Sequence, residues 1–353
     1  MQRSFLRSSQ SIIGTTLLSM TAILAFSVNA DKPKVYNDYK VPLNIHGQPD
    51  LSGFWSNASL TPLTRPRDLG NKATYTEEEV AKAENLLKLQ EAEANQATDP
   101  DAPAEYVAES KYEVKAQYQA AGGDVGGYNY FWLDPGSRVM RVGGEPRTSI
   151  LTTKNGQFPS RKKDAPPFRR FYSGSGAGPG AVDYALRSLG ERCIIGFGRN
   201  GGPPMFANGF YNNNYQIVQA PDHVMILVEM NHDARIIRLN SKHRTDDVRP
   251  WFGDSIGHWD GNTLVVETTH IHPRQALYGA WENLTVTERF TRVSKERLHY
   301  SFTIDDPTVW DKKWGGEYEF SPLDGVIYEY GCHEGNYALP GILKGLLMEK
   351  KKK

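Results

Sequence analysis

The sequence predicts a mainly β protein: an antiparallel barrel or strongly curved sheet, with an N-terminal helical arm and a short C-terminal helix. Three observations carry this. From 126 to 339, short runs of alternating apolar and polar residues are separated by turn dipeptides. Helix signals gather ahead of that region and return only at Pro340. Successive hairpins without intervening helices bury their apolar faces in a sandwich or a closed barrel.

Residues 1–30 read as an export signal. Arg3 and Arg7 precede an apolar stretch at 12–28, and Val28-Asn29-Ala30 places small residues at a peptidase site, so the mature chain starts near Asp31. The alternative is a membrane anchor. Gly14, Thr15, Thr16, Ser19 and Thr21 interrupt the stretch, which falls short of the roughly 20 apolar residues of a spanning helix. No cysteine follows it and the two arginines are not adjacent, which disfavours a lipid anchor and the twin-arginine route. The expected location is the periplasm or outside the cell.

Residues 31–125 form an extended arm with two helices packed on the barrel. Phe54 and Trp55 pin the arm to the body. Thr76 with Glu79 is a capping box, Tyr75 and Val80 are placed for a staple, and Asp99-Pro100 stops a helix that starts at Glu77. A second helix spans 104–121 and stops at Gly122. In the 126–339 domain, strands at 216–219 and 224–230 flank Pro221-Asp222, and strands at 256–259 and 262–270 flank Asp260-Gly261. Strands at 284–292 and 298–304 flank 294–296, and those at 318–320 and 326–330 flank Asp324-Gly325. The glycine- and proline-rich region 157–213, with its run at 174–180, reads as long loops over one end. A calycin- or lipocalin-like barrel is the expected form, followed by a terminal helix and basic tail at 340–353.

Lysine plus arginine and aspartate plus glutamate number 41 each, so net charge points to no nucleic-acid partner. No long apolar segment follows the signal, so no membrane span is expected. Cys193 and Cys332 are the only cysteines. In an oxidising compartment they form either a single disulfide or two buried thiols.

A two-residue turn at Asp260-Gly261 would pair Trp259 with Asn262, His258 with Thr263, Ile256 with Val265 and Asp254 with Glu267. Asp254, His258 and Glu267 then share a face. Facing carboxylates repel unless a proton, a cation or an arginine lies between them, and a histidine nearby completes acid–base equipment. In the competing reading Asp254 caps a turn and Glu267 pairs with an arginine such as Arg235. A one-residue slip would send the set to solvent.

Glu229 ends the apolar run 224–228 with Asn214 opposite it, and Glu288 shares a face with Val286 and Phe290. Each is either a structural ion pair or part of a polar pocket floor. Asp233 can orient His232 only if the chain turns between them. His270 and His272 have an i, i+2 spacing that some metal sites use, with no third ligand indicated, and no metal is expected. Nucleotide-loop, haem and Gly-x-Ser-x-Gly signatures are absent, so no cofactor is expected.

The segments at 49–55, 128–132, 191–193, 211–219, HDARII at 232–237, GDSIGHWDGNTLVVETT at 253–269, 288–290 and YEYGCHEGNYAL at 328–339 resemble a large family of exported, mostly uncharacterised bacterial proteins. The resemblance covers nearly the whole mature chain. It implies one evolutionary unit and a purpose for Cys193 and Cys332, but no activity and no residue role.

The expected function is a cofactor-independent lyase, isomerase or hydrolase acting on a small apolar or aromatic-rich metabolite in the barrel. Asp254 and Glu267 would be the carboxylates and His258 the proton shuttle. Glu229, His232, Asn214, Arg235 and Glu288 would contact the ligand. The alternatives are a periplasmic small-molecule binding protein and a polysaccharide-active protein, the latter prompted by seven tryptophans and eighteen tyrosines.

Overall fold

The computed structural model describes residues 39–96, 111–112, 133–166, 182–207 and 211–351. The export signal, the 128–132 motif and the 174–180 run lie outside the described residues, as does the helix expected at 104–121 except for Lys111 and Tyr112, which form a bend.

Strand β1 spans Gly53–Ser56, and helix α1 follows at Glu77–Ala94. Its start is the expected capping box: Thr76 Oγ1 accepts the Glu79 N–H at 3.2 Å and Glu79 Oε2 accepts the Thr76 N–H at 2.7 Å. Val80, Leu87 and Ala94 form its buried stripe. Two short strands, β2 (Arg141–Val142) and β3 (Glu145–Pro146), pair with each other. Then come β4 (Asn214–Gln219), β5 (His223–Val228), β6 (Ala234–Leu239), β7 (Asp254–Asp260) and β8 (Thr263–Thr269). Strands β9 (Thr285–Ser294), β10 (Arg297–Asp305) and β11 (Trp314–Pro322) follow, and α2 (Ala338–Lys351) comes last.

Nine of the strands form a closed barrel in the order β1-β11-β10-β9-β8-β7-β6-β5-β4, with β1 also paired to β4. The arm is therefore part of the ring. Trp55 lies buried between Tyr215 and Pro322 in the ladders and completes the closure. This corrects the strand expected at 326–330. Strand β11 takes its second partner from β1, so the alternating Val326, Tyr328 and Tyr330 find no free sheet edge. Val326 and Tyr328 are exposed instead.

Strands that alternate in direction around a ring cannot close on an odd number unless one neighbouring pair is parallel. Here that pair is β6 and β7, with Ile237 opposite Ser255 and Leu239 opposite Gly257. A parallel pair needs a long crossover, and residues 240–253 provide it.

Alternate residues point into the barrel and pack as its core. They include Ile226, Ile237, Val266, Phe290, Tyr300 and Phe320. Over the outer face of β10 and β11 lies the 139–152 segment. Gly143 N–H donates to Glu319 Oε1 at 3.0 Å, and Arg147 pairs with Glu317 at 2.8 Å. No helix among the described residues is long and apolar enough to cross a membrane.

Cys193 and Cys332 are bonded, with Cα atoms 5.7 Å apart. The bridge ties the 182–207 segment to the chain that leads into α2. It closes a loop across a sequence separation of 139, worth about 5 kcal/mol by chain entropy alone. Cys332→Ser should lower the denaturant midpoint, followed by tryptophan fluorescence, and reductant should do the same to the unmodified protein. Unchanged midpoints in both would show that the bridge adds no stability.

Candidate functional site

The crossover lies along the outside of the barrel beside β7. Asn240 N–H donates to the Gly257 carbonyl at 2.8 Å, and the Arg244 N–H reaches Asp254 Oδ2 at 3.0 Å. Between those anchors, His243 is set between two carboxylates. Its Nδ1 lies 2.9 Å from Asp254 Oδ2 and its Nε2 lies 3.2 Å from Glu267 Oε1. Asp254 is buried beneath the crossover, whereas half of the Glu267 side chain is exposed. Arg238 Nη2 donates to both Asp254 oxygens, at 2.8 and 3.0 Å. Burial by itself would raise the Asp254 pKa. The Arg244 N–H, the His243 ring and the Arg238 charge outweigh that and hold it below the ordinary value.

Asp254 and Glu267 thus meet through His243 and not through direct pairing. The β7–β8 register is shifted by two residues from the expected one. Trp259 faces Leu264, His258 faces Val265, Ile256 faces Glu267 and Asp254 faces Thr269. The cause is the turn. Its left-handed residue is Gly261 (φ 58°), the first of the two central residues as in a type II′ turn, so the central pair is Gly261-Asn262. A shift of two keeps every side chain on its face while changing its partner. That face is the outer one, because the inward residues here are Ser255, Gly257, Leu264, Val266 and Thr268. His258 is exposed, and no hydrogen bond or ion pair joins it to Asp254 or Glu267.

The inward polar residues form a separate group. Arg235 and Glu288 make a bidentate pair, at 3.1 and 2.6 Å, and both are almost wholly buried. Tyr300 donates its hydroxyl to Glu288 Oε1 at 2.8 Å, so burial and that carboxylate push the Tyr300 pKa well up. The hydroxyl of Tyr300 also accepts the Met205 N–H, and Tyr318 donates to the Met205 carbonyl. The 199–206 segment is thereby fixed onto inward-facing side chains. Burial would lower the Arg235 pKa, but the Glu288 charge outweighs it and raises it. Glu229 does face Asn214, whose Nδ2 donates at 2.6 Å, and its other oxygen accepts the Tyr328 N–H. It holds the C-terminal segment to the barrel.

The chain turns at 230–232, with Asn231 and His232 both left-handed. Asp233 nevertheless does not orient His232: its carboxylate accepts the Gly196 N–H at 2.7 Å, and His232 is exposed. Nor do His270 and His272 act as a pair. His272 accepts the Arg274 N–H and lies 4.1 Å from the Trp251 ring, whereas His270 sits near His243, ring centroids 6.3 Å apart. Sequence reasoning missed His243. Its one signal is the polar Lys242-His243-Arg244 run between two strands, which carries no spacing rule.

Glu288→Leu or Arg235→Met alone leaves an unpaired buried charge and should cost about 3–5 kcal/mol by denaturant unfolding, while the double variant recovers most of it. Independent, additive losses would refute the pairing. Burial raises the Asp233 pKa to about 7, above its unfolded value of about 3.9, although the Gly196 N–H and Asn231 pull the other way. Between those values the folded protein keeps a proton that the unfolded chain has lost. Stability from this group therefore falls as pH rises from about 4 to about 7 and is flat above. In Asp233→Asn, which retains an acceptor for Gly196, the Tm difference between pH 5 and pH 8 should shrink. An identical difference in both proteins would contradict it.

Comparison with protein-family models, curated proteins and solved structures finds no match for this chain, so its function is read from the chemistry of this site.

Proposed function

We propose that the protein is an exported acid–base enzyme, a lyase, isomerase or hydrolase, whose proton carrier is His243 on the outer face of a calycin-like barrel. One observation carries this: each ring nitrogen of His243 faces a carboxylate, one buried and one exposed. Asp254, held by Arg238 and the Arg244 N–H, fixes the ring through Nδ1 and stabilises it when protonated. Nε2 points to Glu267, whose half-exposed side chain swings aside to admit a substrate atom or serves as the second carboxylate. The inward carboxylate Glu288 is already paired with Arg235 and Tyr300, which favours the carboxylates at the crossover for this role. The same crossover brings Arg249, whose guanidinium lies 4.9 Å from the Trp281 ring, and Trp251, which suit an aromatic or anionic metabolite. The disulfide fits an oxidising compartment.

The test is a metabolite-library screen by mass spectrometry, followed by variants. His243→Gln should reduce turnover of any hit about 10²–10⁴-fold. Glu267→Gln should reduce it as well, and His258→Gln should leave it unchanged. A hit turned over equally well by His243→Gln would end this reading.

A further inference from the structure

Asp254 and His243 have a third neighbour that acid–base chemistry does not use. Donor atoms of His243, Asp254 and His270 all lie within 4.8 Å of one another. A tetrahedral ion with bonds of about 2.0–2.2 Å holds its donors roughly 3.3–3.5 Å apart. The His243 Nδ1 to Asp254 Oδ2 separation of 2.9 Å is already close to such an edge, and His270 offers a ring nitrogen within 4.8 Å of the donor atoms of the other two.

We propose that these three residues form a divalent transition-metal site of the zinc type. Three further features support it. First, Glu267 holds the opposite nitrogen of His243, Nε2, at 3.2 Å. That is the carboxylate–histidine–metal arrangement, in which the outer carboxylate fixes the ring and raises its basicity. Second, His270 adopts a left-handed backbone (φ 53°), uncommon for a residue with a Cβ, and so brings its ring to the cluster. Its Nδ1 is bonded to Thr269 Oγ1 at 2.9 Å, so Nε2 is the nitrogen free to ligate. Third, Arg238 and the Arg244 N–H hold the Asp254 carboxylate in place. Two histidines and a carboxylate suit zinc or cobalt better than magnesium or calcium, and water would fill the remaining positions.

The charges around the site set its strength. Arg238 opposes the ion, Asp246 pairs with Arg244, and Glu267 contributes the remaining negative charge. The inference shares its histidine with the acid–base reading and adds regulation to it: the metal-loaded form cannot use His243 as a proton carrier.

The experiment is calorimetric titration of Zn²⁺ into the full mature chain, disulfide intact and without a histidine tag. One ion per chain should bind at pH 7.5. His243→Gln and His270→Gln should each weaken it about tenfold or more, and Glu267→Gln should weaken it by a comparable factor. His258→Gln and His272→Gln should bind as the unmodified protein does. Both of the first two variants binding Zn²⁺ normally, or no binding to the unmodified chain, would overturn the site. Zinc binding without any turnover supports the metal site and counts against the acid–base reading. Turnover that needs His243 in a chain that does not bind zinc does the reverse.

Discussion

A closed ring of nine strands must contain a parallel neighbour pair, and much of the local structure of this protein follows from that constraint. The parallel pair is β6 and β7, so the chain leaving Leu239 has to return to the starting end of the barrel before Asp254. It does so along the outside. There it covers Asp254, places His243 between Asp254 and Glu267, and brings the Arg244 N–H to Asp254. Had the ring closed on an even number by alternation, a tight turn could have joined β6 to β7 and nothing would lie over that face. The arm strand β1 makes the count odd, since it fills the gap between β11 and β4. A feature near residue 55 thus conditions the surroundings of residue 243.

The barrel separates its charged residues into two roles. Inside, Arg235 and Glu288 neutralise each other, with Tyr300 as a further donor, and Tyr300 and Tyr318 secure the backbone at Met205. Burying such a pair costs desolvation that its attraction only roughly offsets, so its value is in holding one arrangement of the 199–206 segment. Outside, Asp254, His243 and Glu267 form a graded series from buried to half-exposed. A proton or an ion can enter from the solvent side while the buried end keeps its geometry. The inner group suits architecture and the outer one suits chemistry.

The C-terminal segment is held by unlike bonds at separate points. Glu229 binds the Tyr328 backbone, the disulfide fixes Cys332, and Asn336 donates to the Glu191 carbonyl. It joins no sheet and depends on these tethers. The Ile342, Leu347 and Met348 side chains of α2 are exposed.

Much of the fold was legible in the sequence because its signals are local. The Thr76–Glu79 capping box, the Pro221-Asp222 turn with Asn214 facing Glu229, and the β9–β10 hairpin each depend on residues close together in the chain. Alternation with period two also placed Asp254, His258 and Glu267 on one face of β7 and β8. It could not say which face was inward, because Leu264, Val265 and Val266 are apolar on both sides and all three are buried. The partners across the hairpin were also undetermined, since Gly261 could take either central position of the turn. The sequence by itself determined the β class, the helix start, most strand positions and the pair of cysteines available for bonding. Only the tertiary structure decided that the arm closes the ring, that Arg235 meets Glu288, and that His243 joins Asp254 to Glu267. Those contacts link residues far apart in the chain, and closure of the whole barrel selects them, which no local pattern encodes.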